Sequence, residues 1–183
     1  MKQYHTNKIL GFVFVILFSF SCSSNLDFNQ INDFKSDPVF IANFTYFDIP
    51  AKQFIANGRE QDIVYDAQEF DVFRDSFFRK SLIQADFFFE INNTINRSFI
   101  VDIVLLDGNN QPLYNFNFDV PAFSGTEKLV TQTEIFENTK LDLLKRARRM
   151  IFVIRMGAGP ALNTTSPGSL KLRSSATAYL LIE

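Results

Sequence analysis

The sequence predicts an all-β domain, an antiparallel sandwich of about seven strands with one short crossing helix. Phenylalanine is abundant, 23 of 183 residues, and aromatic side chains suit the pleated, half-buried surface of a sheet. Apolar and polar residues alternate over short stretches, and Asn, Asp, Gly and Pro clusters between them mark turns. Helical spacing over several turns occurs in one stretch.

Val39 to Ile49 alternates, placing Phe40, Ala42, Phe44 and Tyr46 on one face, and Pro50 closes it. Lys52 to Asp66 is mixed, with a turn signal at Asn57-Gly58. Glu69 to Phe73 reads as a short strand, and Ser76 to Leu82 fits either a turn of helix or an irregular edge. Ala85 to Asn92 is a strand, after which Asn92-Asn93-Thr94 and Asn96 turn the chain.

Phe99 to Leu106 follows, then an Asp107-Gly108-Asn109-Asn110 hairpin signal, then Leu113 to Val120, with Leu113 out of phase or bulged against Tyr114, Phe116 and Phe118. These three strands read as an antiparallel meander, with Phe87 or Phe89 and Phe116 or Phe118 facing inward. Leu129 to Glu137 is a further strand. The helix follows, with Thr139 as N-cap, Asp142 three residues on, and Leu141, Leu144, Ala147 and Ile151 on one stripe. Strands Ile151 to Met156 and Leu170 to Ile182 complete the domain, separated by a Gly, Pro, Asn, Thr and Ser loop.

Short strands at this spacing fit an immunoglobulin-like or fibronectin-like β-sandwich, without the Cys and Trp hallmarks of true immunoglobulin domains. From Phe87 to Val120, the Asn-rich turn, long strand, Asp-Gly hairpin and return strand resemble the late-embryogenesis-abundant type 2 sandwich. That resemblance implies the same fold class.

The first residues carry a different message. Met1 to Lys8 holds Lys2 and Lys8 and no acid, Ile9 to Phe20 is apolar apart from Gly11 and Ser19, and Ser21-Cys22 follows. This is the n-region, h-region and small-residue pattern of an export signal, and the apolar run is shorter than the roughly 20 residues that span a bilayer. It resembles the signal of bacterial lipoproteins, in which the cysteine after the cleavage point is lipidated. Ser19 and Phe20 stand where Leu and a small residue are commonest in that signal. The resemblance implies a signal peptide over 1–21, lipid on Cys22, and attachment to a membrane through it. Residues 22–37 read as a tether and 38–183 as the sandwich domain. Ser23 and Ser24 lack the Asp of the best-known inner-membrane retention rule, which points to the outer membrane.

Cys22 is the only cysteine and His5, within the signal, the only histidine. The mature chain therefore has no imidazole for a nucleophile-base pair or a histidine-ligated metal, and no thiol left for a disulfide. No catalytic residue, metal site or cofactor is expected. Removing the signal leaves 16 basic (18 − 2) and 20 acidic residues, a net charge of −4, which argues against a nucleic-acid partner. Lys145, Arg146 and Arg149, with Arg148 beside them, form the densest positive cluster and are a candidate contact for anionic lipid or an acidic envelope protein.

The expectation is a non-enzymatic, membrane-anchored binding, adhesion or envelope-assembly module. The alternative is a hydrolase or carbohydrate-active accessory domain using the acidic run Asp62, Asp66, Glu69, Asp71 and Asp75 within 62–75.

Overall fold

The computed structural model describes residues 35–67 and 75–182. Its strands are β1 (Val39–Pro50), β2 (Ile55–Ala56), β3 (Arg59–Glu60), β4 (Ile63–Ala67), β5 (Leu82–Asn93), β6 (Phe99–Leu106), β7 (Pro112–Val120), β8 (Leu129–Phe136), β9 (Arg149–Met156) and β10 (Ser169–Leu180). Helix α1 spans Ser76–Ser81 and α2 Asn138–Arg146, with a single 3-10 turn at Ala51–Phe54. One sheet, here sheet I, has the order β1-β10-β5-β8, and the other, sheet II, the order β4-β9-β6-β7. Every pairing is antiparallel. The β2-β3 hairpin stands apart, turning on Asn57 and Gly58, whose φ angles of 52° and 72° are the left-handed pair that an Asn-Gly turn supplies.

The all-β sandwich expected from the sequence is the fold. Its strand order is not the immunoglobulin-like or fibronectin-like one. From β4 onward consecutive strands lie in opposite sheets, except β6 and β7, and two interleaved four-stranded sheets of this order make a jelly roll. The meander is accordingly corrected. β6 and β7 pair as a hairpin around the Asp107 turn, but β5 sits in sheet I and never pairs with β6.

The reason lies in the turn at Asn93. Its buried side chain donates from Nδ2 to the Arg97 and Pro121 carbonyls at 2.7 and 2.8 Å, and its Oδ1 accepts the Ile95 N–H at 2.9 Å. These bonds satisfy backbone that would otherwise be orphaned as the chain crosses between layers. Thr94 locks the same corner to the start of β10: its Oγ1 accepts the Ser169 N–H at 2.9 Å. A Cβ on Gly168, at φ +94°, would lie 2.3 Å from the Thr94 carbonyl oxygen, so this close approach requires glycine.

The strand boundaries hold the second correction. Phe40, Ala42, Phe44 and Tyr46 do not share a face, because β1 bulges between Asn43 and Tyr46. Ser174 on β10 holds the bulge open: its buried hydroxyl accepts the Thr45 N–H at 2.9 Å and donates to the Thr45 carbonyl at 2.9 Å. The slip turns Tyr46 to solvent and brings Phe47 and Ile49 into the core. The Leu113 irregularity does occur, with Leu105 opposite Tyr114 and Leu106 opposite Pro112.

Helix α2 begins at Asn138, with Glu137 rather than Thr139 at the cap position and no side-chain cap bond. Leu141 and Leu144 are buried, but the helix ends at Arg146 and Ile151 belongs to β9. Sheet pairing claims it, since Arg149 through Met156 pair with β6 while Met150, Phe152 and Ile154 alternate into the core. Of residues 76–82, ambiguous in sequence, Ser76–Ser81 form α1, whose Asp75 cap accepts the Phe78 N–H at 2.8 Å, and Leu82 opens β5. The proposed strand over 69–73 lies outside the described residues.

Aromatic rings fill the space between the sheets. Phe89 on sheet I meets Phe116 and Phe118 on sheet II at 5.6 Å between centroids, Phe87 meets Phe136 at 5.4 Å, and Phe47 meets Phe152 at 5.8 Å. Such tilted and edge-on contacts add to burial at each pair. Phe89→Ala is expected to cost about 3–5 kcal/mol, read by urea denaturation. A loss below about 1 kcal/mol would show that this ring does not hold the layers together.

Candidate binding surface

The alternation that sends Phe87, Phe89 and Ile91 inward sends Asp86, Phe88, Glu90 and Asn92 to the outer face of sheet I. Strand register builds rows across it: Ile41, Thr177, Asp86 and Ile135; then Phe88 with Ser175 and Thr133; then Tyr46, Arg173, Glu90 and Thr131; then Asp48, Lys171, Asn92 and Leu129. Large apolar side chains are left in solvent here, Ile41 being 74% exposed, Tyr46 57% and Leu129 55%, with Phe88 and Ile135 also exposed. These exposed apolar groups, held on one face by strand register, make it the candidate binding surface.

Within this face lies a basin of about 340 Å³ lined by Tyr46, Glu90, Asn92, Leu129, Lys171 and Arg173. Arg173 pairs with Glu90 across the strands, and Lys171 with Asp48 at 3.3 Å. The Asn92 Nδ2 donates weakly to Glu127 at 3.4 Å, while its buried Oδ1 has no hydrogen-bond partner among the described residues. An aromatic ring, a leucine, opposed charges and an amide with an unsatisfied acceptor can hold a ligand by stacking and hydrogen bonding. They offer no nucleophile activated by a base.

A second polar cluster bridges the sheets where β7 and β8 form neighbouring edges. Glu134 is buried in phase with Phe136, accepts the Tyr114 hydroxyl at 2.7 Å and pairs with Lys140 of α2. The Lys140 ammonium also stands 4.8 Å from the Tyr114 ring centroid and 5.1 Å from that of Phe136. Burial raises the Tyr114 hydroxyl above its usual value of 10.0, and the adjacent Glu134 carboxylate adds to it. Burial alone would lower Lys140, but its hydrogen-bonded neighbours Glu134 and Tyr114 outweigh this and raise it above 10.5. The cluster clamps β7, β8 and α2 together. Its signal in the sequence was a carboxylate at an inward position of the alternation Val130, Gln132, Glu134, Phe136.

The residues singled out by sequence are dispersed. Cys22, Glu69 and Asp71 lie outside the described residues. Asp62 accepts the Met156 N–H at 3.0 Å, Asp75 caps α1, and Asp66 belongs to β4. Asp107 organises its own turn, its Oδ1 accepting from Asn109 and Gln111 at 2.8 and 2.9 Å. Lys145 and Arg146 occupy the last turn of α2, but Arg149 opens β9 and its guanidinium reaches Asn110 Oδ1 at 2.7 Å. Arg148 bonds the Lys145 and Ala147 carbonyls, and Arg155 forms a two-pronged pair with Asp102. Among the described residues no three His, Cys, Asp or Glu side chains gather as a metal site, and no helix is long and apolar enough to cross a membrane.

No protein-family model and no curated protein matches the chain. Among solved structures, a protein from Parabacteroides distasonis whose secretion is expected is similar at 19% identity and a TM-score of 0.45, over 64% of this chain and 37% of that one. The structure of infectious bursal disease virus, Gx strain, is similar at 9% identity and a TM-score of 0.46, over 79% and 32%. Desmodium yellow mottle tymovirus is similar at 9% identity and a TM-score of 0.32, over 81% and 90%. The chain thus spans about a third of the first two. The fold assignment rests on strand order and not on these likenesses.

The cluster at Glu134 sets a pH dependence. Because both Tyr114 and Lys140 are raised in the folded state, their contribution is complete below about pH 10 and is lost as pH rises through the folded values. Thermal stability of the wild type is expected to fall more steeply from pH 9 to 11 than that of Tyr114→Phe. Parallel curves would show that Tyr114 titrates as it does in the unfolded chain.

Proposed function

We propose that the protein is a lipid-anchored, non-enzymatic binding module of the cell envelope, held through Cys22 and meeting its ligand with the outer face of sheet I. The observation that carries this reading is the set of exposed apolar residues on one sheet face, Ile41, Tyr46, Phe88, Leu129 and Ile135, together with a basin of paired charges that Tyr46 and Leu129 line. Sheet strands hold these groups in fixed register, as a preorganised recognition surface requires. The export signal and lone cysteine support extracytoplasmic placement, and Ser23-Ser24 supports the outer membrane. The partner chemistry that fits is an envelope protein or surface component offering apolar and hydrogen-bonding groups together.

The hydrolase reading loses its support at Asp62 and Asp75. Both carboxylates are engaged by backbone N–H groups, the work of structural caps.

Two measurements test the proposal. The wild type is expected to partition into detergent, and Cys22→Ala to lose that partitioning or remain unprocessed; equal partitioning of both would overturn the anchor. A photo-reactive residue in place of Tyr46 is expected to capture a discrete envelope component that one in place of Val64, exposed on sheet II, does not. Equal capture from both positions, or none from either, would remove the outer face of sheet I as the binding surface.

A further inference from the structure

The end of the sandwich at which β1 begins differs from the opposite end. Helices α1 and α2 both lie there, the first leading into β5 at Leu82 and the second following β8, whose Phe136 pairs with Ala85. The Pro38 carbonyl accepts the Leu180 N–H at 3.1 Å and the Ser81 carbonyl accepts the Leu181 N–H at 2.8 Å, tying the start of β1, the end of α1 and the end of β10 together. Around this corner Val39 is 52% exposed, Phe40 55%, Phe77 55% and Ile83 50%. Phe40 also edges an apolar cleft of about 330 Å³ whose walls include Ala42, Leu82, Ala85 and Ala178.

Cations frame the apolar group. Arg79 and Lys80 lie in the last turn of α1, Lys145 and Arg146 in the last turn of α2. None of the four has an acidic partner among the described residues. Asp75 and Glu137, at the N-cap positions of the two helices, and Asp142 in the middle of α2 offset part of this charge. The apolar side chains therefore supply most of any contact, and the cations bias it toward anionic headgroups.

From this we infer that the helical end of the domain docks on the bilayer that carries its anchor, with Val39, Phe40, Phe77 and Ile83 entering the headgroup boundary. The inference rests on the reading of Cys22 as the lipid site. The position of the chain's own anchor selects a bilayer as the occupant. From Cys22 to Val39 there are 17 residue steps (39 − 22), a contour of at most about 60 Å, and the chain joins the domain at this same end. A surface held that close to lipid needs little intrinsic affinity, because docking becomes intramolecular. Four half-exposed apolar side chains with flanking cations suit such a weak, tethered contact.

The chain has no tryptophan, so one introduced indole reports its own surroundings. Full-length lipidated protein carrying Phe77→Trp, or Leu129→Trp at the opposite end of sheet I, would be placed in phosphatidylethanolamine and phosphatidylglycerol vesicles containing brominated lipid. The expected result is that both proteins float with the vesicles, but only the Phe77→Trp indole is blue-shifted and quenched several-fold. Adding Phe40→Glu and Ile83→Glu, both at exposed positions, is expected to remove the quenching without releasing the protein. Flotation with equal quenching at the two positions would overturn the docking and leave the anchor standing. Failure to float would overturn the anchor, and the inference with it.

Discussion

The amide of Asn93 is the contact on which the arrangement of this chain depends. Two strands of opposite direction separated by an Asn-rich turn would ordinarily pair as neighbours. Here the second strand is delivered to the other sheet, and the backbone between them tucks Ile95 into the core while Asn96 stays in solvent. Such backbone is tolerated only when its polar groups find partners, and Asn93 supplies three, to Ile95, Arg97 and Pro121. Once β5 and β6 face each other across the core, the Phe89 contacts with Phe116 and Phe118 follow. Each later connection then has a fixed pair of layers to join.

This crossing also separates the two ends of the molecule. One end is closed by turns gathered around Arg97, which donates to the Gly157 and Pro160 carbonyls and pairs with Glu60 at 2.9 Å. The other is roofed by two helices with cations in their last turns. Sheet I is left with an outer face whose apolar residues no other element covers among the described residues. A scaffold with a rigid exposed face and a lone cysteine upstream is suited to presenting that face from a membrane, the reading proposed above.

Much of the fold was legible because its causes are local. Alternation located β5, β6, β7 and β8 to within a few residues, and Asp107-Gly108 and Asn57-Gly58 marked turns through their own backbone chemistry. What escaped the sequence has a distant partner. The bulge in β1 is held by Ser174, 129 residues away, so the phase of Tyr46 could not be read from its neighbours, and Tyr46 proved to line the candidate basin. Arg149 is the first residue of β9, where it pairs with Leu106, so the helix-to-strand change falls between it and Arg146 and breaks the basic face expected from helical spacing. The Tyr114, Glu134 and Lys140 cluster joins three elements. Only the inward phase of Glu134 hinted at it.

The most direct test of this account compares two adjacent asparagines. Asn93 is buried at the crossing, whereas Asn92 faces outward and makes one long hydrogen bond to Glu127 at 3.4 Å. Unfolding in urea should show Asn93→Ala destabilised by about 3 kcal/mol or more, since each buried backbone group left unpaired costs about 1–3 kcal/mol. Asn92→Ala should cost less than about 1 kcal/mol. Equal, small losses for the two would contradict the claim that the Asn93 amide holds the chain in its crossing between the sheets.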